Sequence, residues 1–138
     1  MVGMNKTTAI RKRIATIGIA LLILLAVCVM LFGEPFITGV KGMDEGQTVC
    51  YSIWNLTVYP VSWTYKLLDE NGQPVPADFF PKFETLSEAI LIFGTTEQII
   101  KLSRPLPIGS YTLRIVFRYN ARGTEHKATS EQRFIIEP

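Results

Sequence analysis

The most pronounced hydrophobic pattern in the chain is an uninterrupted apolar run near the N-terminus. Ile14–Phe32 contains nineteen residues and no charged side chain. As an α-helix this run is roughly 28 Å long, close to the thickness of the hydrocarbon core of a bilayer. Three basic residues, at positions 11–13, stand directly before it. Because basic residues beside a span stay on the cytoplasmic side, the pattern predicts a retained transmembrane helix over 14–33, with residues 1–13 as a basic cytoplasmic tail.

Two other interpretations fit the length and flanks of this run less well. A cleaved signal peptide has an apolar stretch of about 7–15 residues and small residues before the cut, and this run is longer and lacks such a site. A lipoprotein signal would make Cys28 the acylated residue, but Val27 is bulky for the position before it and the apolar run continues to Phe32. We therefore expect a signal anchor with the rest of the chain outside the cytoplasm.

The stretch that follows the apolar run shows little periodicity. Glu34–Gly46 contains Pro35 and three glycines, which is typical of irregular chain. It predicts a juxtamembrane linker over 34–46 that holds the next domain roughly 20 Å from the bilayer surface.

From Gln47 onward, apolar and polar residues alternate with a period of two, as in half-buried β-strands. The clearest strand is Ser110–Tyr119, with Tyr111, Leu113, Ile115, Phe117 and Tyr119 predicted on one face. A turn at 120–123 leads to a last strand, His126–Ile136. Two short apolar runs, Glu88–Phe93 and Glu97–Leu102, are separated by Gly94 and two threonines and predict a hairpin.

Six or seven such strands predict an all-β domain over 47–138, an antiparallel two-sheet sandwich preceded by a single N-terminal transmembrane α-helix. In Pro107–Leu113 a glycine is followed by Tyr111 and then by alternating apolar residues. This segment resembles a strand entry of immunoglobulin-like and fibronectin-III-like modules, in which the tyrosine ring closes the sandwich edge. The resemblance implies an Ig-like fold and no particular activity.

Charge and composition remove several function classes. The net charge of +2 divides into +4 in residues 1–13 and −2 in residues 34–138. The basic pI therefore belongs to the tail and does not indicate nucleic-acid binding. Cys28 lies inside the apolar run and Cys50 beyond it, so a single-pass topology excludes a disulfide between them.

Residues suited to catalysis are sparse. His126 is the only histidine, which argues against metal sites built from several histidines, and we expect it to be a solvated strand residue. The twelve carboxylates show no repeating metal-ligand or acid–base spacing. The sequence therefore predicts no catalytic residue, metal, cofactor or small-molecule substrate.

One candidate partner surface is basic. Arg114 and Arg118 share the outward face of the clearest strand, and Arg122 and Lys127 lie at or beyond its turn. These residues predict a basic stripe suited to an acidic partner or to lipid head groups. The alternative is that these charges only keep the sheet face soluble.

A second candidate surface is aromatic. Phe79, Phe80 and Phe83 lie in an irregular segment and either fill the core or form an exposed binding loop, and the core interpretation is favoured because exposed patches of this size are uncommon. Asn55 begins an Asn-Leu-Thr glycosylation sequon, which matters only if the source glycosylates exported proteins.

These features favour a non-catalytic, single-pass membrane protein whose extracytoplasmic domain contacts other membrane or envelope proteins as an accessory or structural subunit. One alternative is an archaeal-type pilin or archaellum-associated filament component, which has a similar layout, although Arg13 and Ile14 lack the glycine expected at a processing site. Another is a membrane-tethered inhibitor that acts through Pro74–Phe83 or Arg104–Gly109.

Overall fold

The predicted architecture, an N-terminal apolar helix followed by two antiparallel sheets, is confirmed by a computed structural model that describes residues 6–81 and 90–138. Two short 3-10 helices, Asp44–Gly46 and Ala77–Phe79, lie between strands. The main elements are α1 Lys6–Phe32, β1 Phe36–Met43, β2 Thr48–Asn55, β3 Val61–Leu68, β4 Ile90–Leu91, β5 Gly94–Lys101, β6 Gly109–Ala121 and β7 Thr124–Ile136.

Helix α1 begins before the predicted span, because residues 6–13 of the basic tail are helical as well; residues 1–5 lie outside the described chain. It has 27 residues, and its most apolar window has a mean hydropathy of 3.0 with none of its residues buried. Leu22 is 67% exposed and Leu25 is 62% exposed. Within the described residues, α1 is the one helix long and apolar enough to span a membrane.

The linker predicted over 34–46 is wrong for most of its length. Phe36–Met43 forms β1, which pairs antiparallel with β2. The register shifts at a β-bulge around Gly39, whose φ is 64°. Ile37 and Val40 therefore both reach the core although they are three residues apart. A bulge interrupts the period-two pattern, which is why this strand reads as irregular chain in the sequence.

The hairpin predicted from Glu88–Phe93 and Glu97–Leu102 is also wrong. β4 pairs with β3 while β5 pairs with β2, so the two strands belong to different sheets. The sheets have the orders β1-β2-β5 and β4-β3-β6-β7. Gly94, with a φ of 110°, adopts a backbone conformation that favours glycine where the chain crosses between the sheets. Residues 88 and 89 lie outside the described chain.

The core between the sheets follows the predicted alternation. On β6, residues 111, 113, 115 and 117 are buried, whereas residues 112, 114, 116 and 118 are not. Burial of one such large apolar side chain stabilises a fold by about 1.5–3 kcal/mol. The apolar side chains with 0% exposure are Val49, Ile53, Val61, Leu113, Ile115 and Phe117.

Tyr111 closes one end of the sandwich, as its position in the sequence predicts. Its hydroxyl donates a 2.7 Å hydrogen bond to the carbonyl of Pro107, four residues upstream, and its ring stacks on Phe134. Burial raises the pKa of Tyr111 above its ordinary value, and the charges of Asp69 and Glu70 raise it further. The hydroxyl therefore keeps its proton and remains a donor at neutral pH.

The strand registers define two ends of the sandwich. Residues 34–36 follow α1, and they share the helix-proximal end with the loops at 54–60, 91–94 and 121–124. The opposite, distal end contains the connections at 43–47, 68–80 and 101–109.

Candidate functional site

The C-terminal end of helix α1 contacts the sandwich through the β2–β3 loop, whose Val58 amide donates to the Met30 carbonyl at 2.8 Å. The Gly33 amide closes the last turn of the helix itself by donating to the Val29 carbonyl at 2.8 Å. These bonds pair two of the carbonyls that a helix leaves free in its last turn. A Cβ on Gly33 would lie 2.4 Å from the Val29 oxygen, so a side chain does not fit where the helix ends. The Val58 bond thus places the end of the helix directly against the domain.

Arg122 lies at the tip of the β6–β7 hairpin, beside the end of α1. Its φ is 51° and that of Gly123 is 77°, as in a two-residue type I′ turn. Its guanidinium carbon lies 4.9 Å from the centre of the Phe32 ring, which is cation–π geometry. Arg122 therefore ties the hairpin to the last residue of the helix.

Asn55, the first residue of the predicted sequon, is 0% exposed and holds the helix-proximal loops together. Its Nδ2 lies 2.9–3.0 Å from the carbonyl oxygens of Tyr59, Leu91 and Ile92. Its Oδ1 accepts bonds from the amide and hydroxyl of Thr57 at 3.1 and 2.6 Å. The Nδ2 atom, to which a glycan would be attached, is buried and hydrogen-bonded. Asn55 is therefore not a glycosylation site in the folded domain.

The outward side chains of β3, β6 and β7 form a basic face that includes three of the four residues of the predicted stripe. Arg118 and Lys127 are opposite each other on neighbouring strands, and Arg114 is ion-paired with Glu131. The five basic residues of this face are Lys66, Arg114, Arg118, Lys127 and Arg133.

Sequence reasoning missed two members of the basic face. Lys66 lies opposite Arg114, and Arg133 lies two residues beyond Glu131 on the same side of β7. Their membership depends on strand pairing, which the sequence alone does not fix. Glu125 and Glu131 are the acidic residues on these outward positions, so five cations face two anions.

In the described part of the aromatic segment, Phe79 belongs to the core and Phe80 packs against it. Phe79 is buried, and the Arg104 guanidinium lies 4.0 Å from the centre of its ring. Arg104 is also ion-paired with Asp78. Phe80 packs against Tyr65, with ring centroids 6.1 Å apart. The exposed-loop alternative is therefore wrong for Phe79, whereas Phe83 lies outside the described residues.

Several exposed apolar side chains, which we call the apolar rim, lie at the helix-proximal end of the sandwich. Ile92 is 68%, Phe93 56% and Val58 44% exposed. Trp54 stacks on Phe36 with an interplanar angle of 5°. The rim consists of these five residues. The sequence predicts Ile92 and Phe93 as part of a strand and leaves Val58 in an irregular stretch, so their position at one end of the sandwich could not be predicted.

The residues singled out for chemistry do not converge. His126 stacks on Tyr119 at 5.6 Å between ring centroids and is partly exposed. The Cys50 thiol donates to the Met43 sulfur at 3.2 Å, and Cys28 is exposed on α1. Over residues 6–81 and 90–138, no three His, Cys, Asp or Glu side chains are grouped as metal ligands would be.

Comparison with known proteins assigns no relationship: no protein-family model matches the chain, and no curated protein matches it either.

Proposed function

We propose that this chain is a non-catalytic, single-pass membrane protein whose extracytoplasmic immunoglobulin-like domain binds an acidic partner protein, as an accessory or structural subunit of a membrane or envelope complex. The observation that carries the proposal is the basic face on β3, β6 and β7, presented by a domain that is seated directly on an apolar helix. Electrostatic complementarity at such a face gives specificity and speeds association.

Two features support the immunoglobulin-like assignment of the sandwich. Strands β1-β2-β5 and β3-β6-β7 correspond in order to the A-B-E and C-F-G strands of that fold, with β4 added beside the C strand. The bond from Tyr111 to Pro107 resembles the tyrosine corner found at the start of the F strand in such domains.

The membrane assignment rests on α1 and its flanks. The 27-residue helix is long enough to span a bilayer, and its most apolar window has a mean hydropathy of 3.0 with none of its residues buried, which supports this assignment. Arg11, Lys12 and Arg13 at its N-terminal end favour a cytoplasmic N-terminus, which leaves the sandwich on the other side.

The filament alternative keeps one supporting observation, since the exposed surface of α1 is suited to packing against α1 of further copies. N-terminal sequencing of the mature protein separates the two proposals. A chain that begins near Ile14 favours the filament, and one that begins near Met1 favours the anchor. The inhibitor alternative rests on the distal loops, which are tied to each other by the ion pair of Arg104 with Asp78 and by the bond from the Ser103 amide to the Phe79 carbonyl.

Cross-linking of the full-length protein in its native membranes tests the proposal. The double variant Arg118→Glu and Lys127→Glu reverses the centre of the basic face, and we expect a several-fold loss of the cross-linked partner. The matched control, Lys41→Glu with Lys101→Glu, makes the same charge change on exposed residues of the other sheet and should leave the yield unchanged. A protein that purifies alone, or equal yields from both variants, overturns the proposal.

A further inference from the structure

We propose that the helix-proximal end of the sandwich is itself a lipid-contacting surface, with the apolar rim placed in the outer interface of the bilayer. This inference rests on the proposed function, since it requires α1 to span the membrane with the sandwich outside. It adds a second membrane contact to the helix, made by Val58, Ile92 and Phe93 from the loops and by Trp54 and Phe36 from the sheet.

The depth of the rim follows from the junction with α1. The Val58 amide is bonded to the Met30 carbonyl, which lies in the last turn of the apolar run that ends at Phe32. When that run fills the hydrocarbon core, the β2–β3 loop lies at the level where acyl chains meet head groups. Val58, 44% exposed, then faces lipid and not water.

Hydrogen bonds of Asn55 hold the β4–β5 crossover at the same depth in the membrane as the β2–β3 loop. Asn55 Nδ2 lies within 2.9 Å of the Tyr59 carbonyl on one loop and of the Ile92 carbonyl on the other. Ile92 and Phe93 are therefore held beside the loop that contacts the helix. They are among the most exposed apolar side chains of the sandwich, at 68% and 56%.

The chemistry of the neighbouring residues matches the bilayer interface. Trp54 stacks on Phe36 while its indole nitrogen donates to Thr38 Oγ1 at 2.9 Å, an amphipathic arrangement typical of aromatic belts. Arg122, over the ring of Phe32, places a cation at the level of the lipid phosphates. Exposed apolar side chains on the loops, an aromatic pair beside them and the cation of Arg122 at the same end favour contact with lipid over contact with a protein partner.

The test uses the full-length protein in vesicles of zwitterionic and anionic phospholipid that contain nitroxide-labelled lipid. An environment-sensitive fluorophore is attached to a single cysteine in each of three proteins. The first keeps Cys28 and carries Cys50→Ser. The other two carry Cys28→Ala and Cys50→Ser together with either Phe93→Cys or Ile108→Cys. Ile108 is a matched control, because it is 66% exposed but lies at the distal end.

We expect strong quenching of the label at Cys28 and at position 93, and several-fold weaker quenching at position 108. Quenching at Cys28 without quenching at position 93 leaves the membrane anchor standing and overturns this inference. Equal quenching at positions 93 and 108 overturns it as well, because it indicates adsorption of the whole domain. The absence of quenching at Cys28 overturns the anchor and the inference together.

Intrinsic tryptophan fluorescence checks that the quenching is not caused by the introduced cysteines or by the attached fluorophore. Trp54 and Trp63 are the two tryptophans, so Trp63→Phe leaves Trp54 as the single indole. In vesicles of brominated lipid its fluorescence should be quenched several-fold more than that of Trp63 in a Trp54→Phe protein. Equal or no quenching of Trp54 contradicts the proposed depth.

Discussion

The two ends of the sandwich are closed by different chemistry. At the helix-proximal end a buried amide, Asn55, joins two loops, and the side chains around it are apolar and exposed. At the distal end, main-chain bonds join the connections: the Leu102 amide donates to Gln47 and the Leu106 amide to Gly46, both at 2.9 Å. The helix-proximal loops thus depend on one buried side chain, whereas several main-chain bonds hold the distal connections.

Exposed apolar side chains occur at both ends, but their surroundings differ. Distal Ile108 and Ile135 line a depression of about 550 Å³ together with Asp44, Glu45 and Glu137. Carboxylates thus interrupt the apolar surface there, and such mixed exposure is ordinary on soluble surfaces. The apolar rim adjoins an apolar helix, which is why only the helix-proximal end is proposed to meet lipid.

The largest effect is expected in the core between the sheets, on which both ends depend. Phe117→Ala removes a side chain with 0% exposure and should lower the free energy of unfolding by about 3–5 kcal/mol. Arg114→Ala, on the outward face of the same strand, should cost less than about 0.5 kcal/mol because its ion pair is exposed. Urea unfolding of the full-length protein in detergent micelles measures both, and equal costs would contradict the assignment of faces.

At the helix-proximal end, Asn55→Ala should cost about 3 kcal/mol, because it leaves buried carbonyl and hydroxyl groups without their partner. The control at the distal end is Asn71→Ala, in an exposed turn where only the backbone amide is bonded, to Asp69. Its cost should stay within about 0.5 kcal/mol. Similar costs at the two positions would mean that Asn55 is not the anchor of its loops.

The end of α1, beside the domain, is tested by Gly33→Ala. The added Cβ meets the Val29 carbonyl oxygen at 2.4 Å, and relieving this overlap should cost about 2 kcal/mol, a typical value for overpacking. Gly18→Ala, in the same helix with nothing outside the backbone of that helix within 4 Å of the added atom, is the matched control and should not destabilise the protein. Thermal unfolding in micelles compares them, and two unchanged midpoints would show that α1 does not close its last turn at Gly33 as described.

The sequence predicts features that depend on local patterns and misses those that depend on contacts between distant residues. The alternation along β6 and β7 is a local pattern, and so is the glycine that precedes Tyr111. The faces of these strands and the closing role of Tyr111 were therefore predicted. The bulge at Gly39 hides β1 because it breaks the period, and strand pairing that joins distant residues decides that β4 and β5 lie in different sheets.

The candidate surfaces follow the same rule. Arg114 and Arg118 share a face by spacing alone, whereas Lys66 and Arg133 join them only through pairing between strands. The sequence identifies Asn55 only as the first residue of a sequon. Its burial depends on two loops that are far apart in sequence, so it could not be predicted. The apolar rim likewise consists of residues that become neighbours only in the folded domain.

The smallest change in the free energy of unfolding is expected when one tyrosine at either end, Tyr111 or Tyr119, is replaced by phenylalanine. Tyr111→Phe should cost about 1 kcal/mol at neutral pH through the lost bond to Pro107. Burial raises the pKa of Tyr111 and of Tyr119 above the ordinary value of 10.0, with Asp69 adding to the rise at Tyr111 and Glu34 at Tyr119. The protonated form is thus favoured in the folded state.

Stability should therefore be fully present below pH 10.0 and fall as pH rises from there through the folded-state pKa values, because unfolded tyrosines ionise first. Tyr111→Phe and Tyr119→Phe should each make this decline shallower. Urea midpoints at about pH 8 and about pH 11, compared with those of the unsubstituted protein, measure it. If both variants keep the full alkaline decline, neither end couples its tyrosine to folding, and the difference between the ends then lies in Asn55 and the apolar rim.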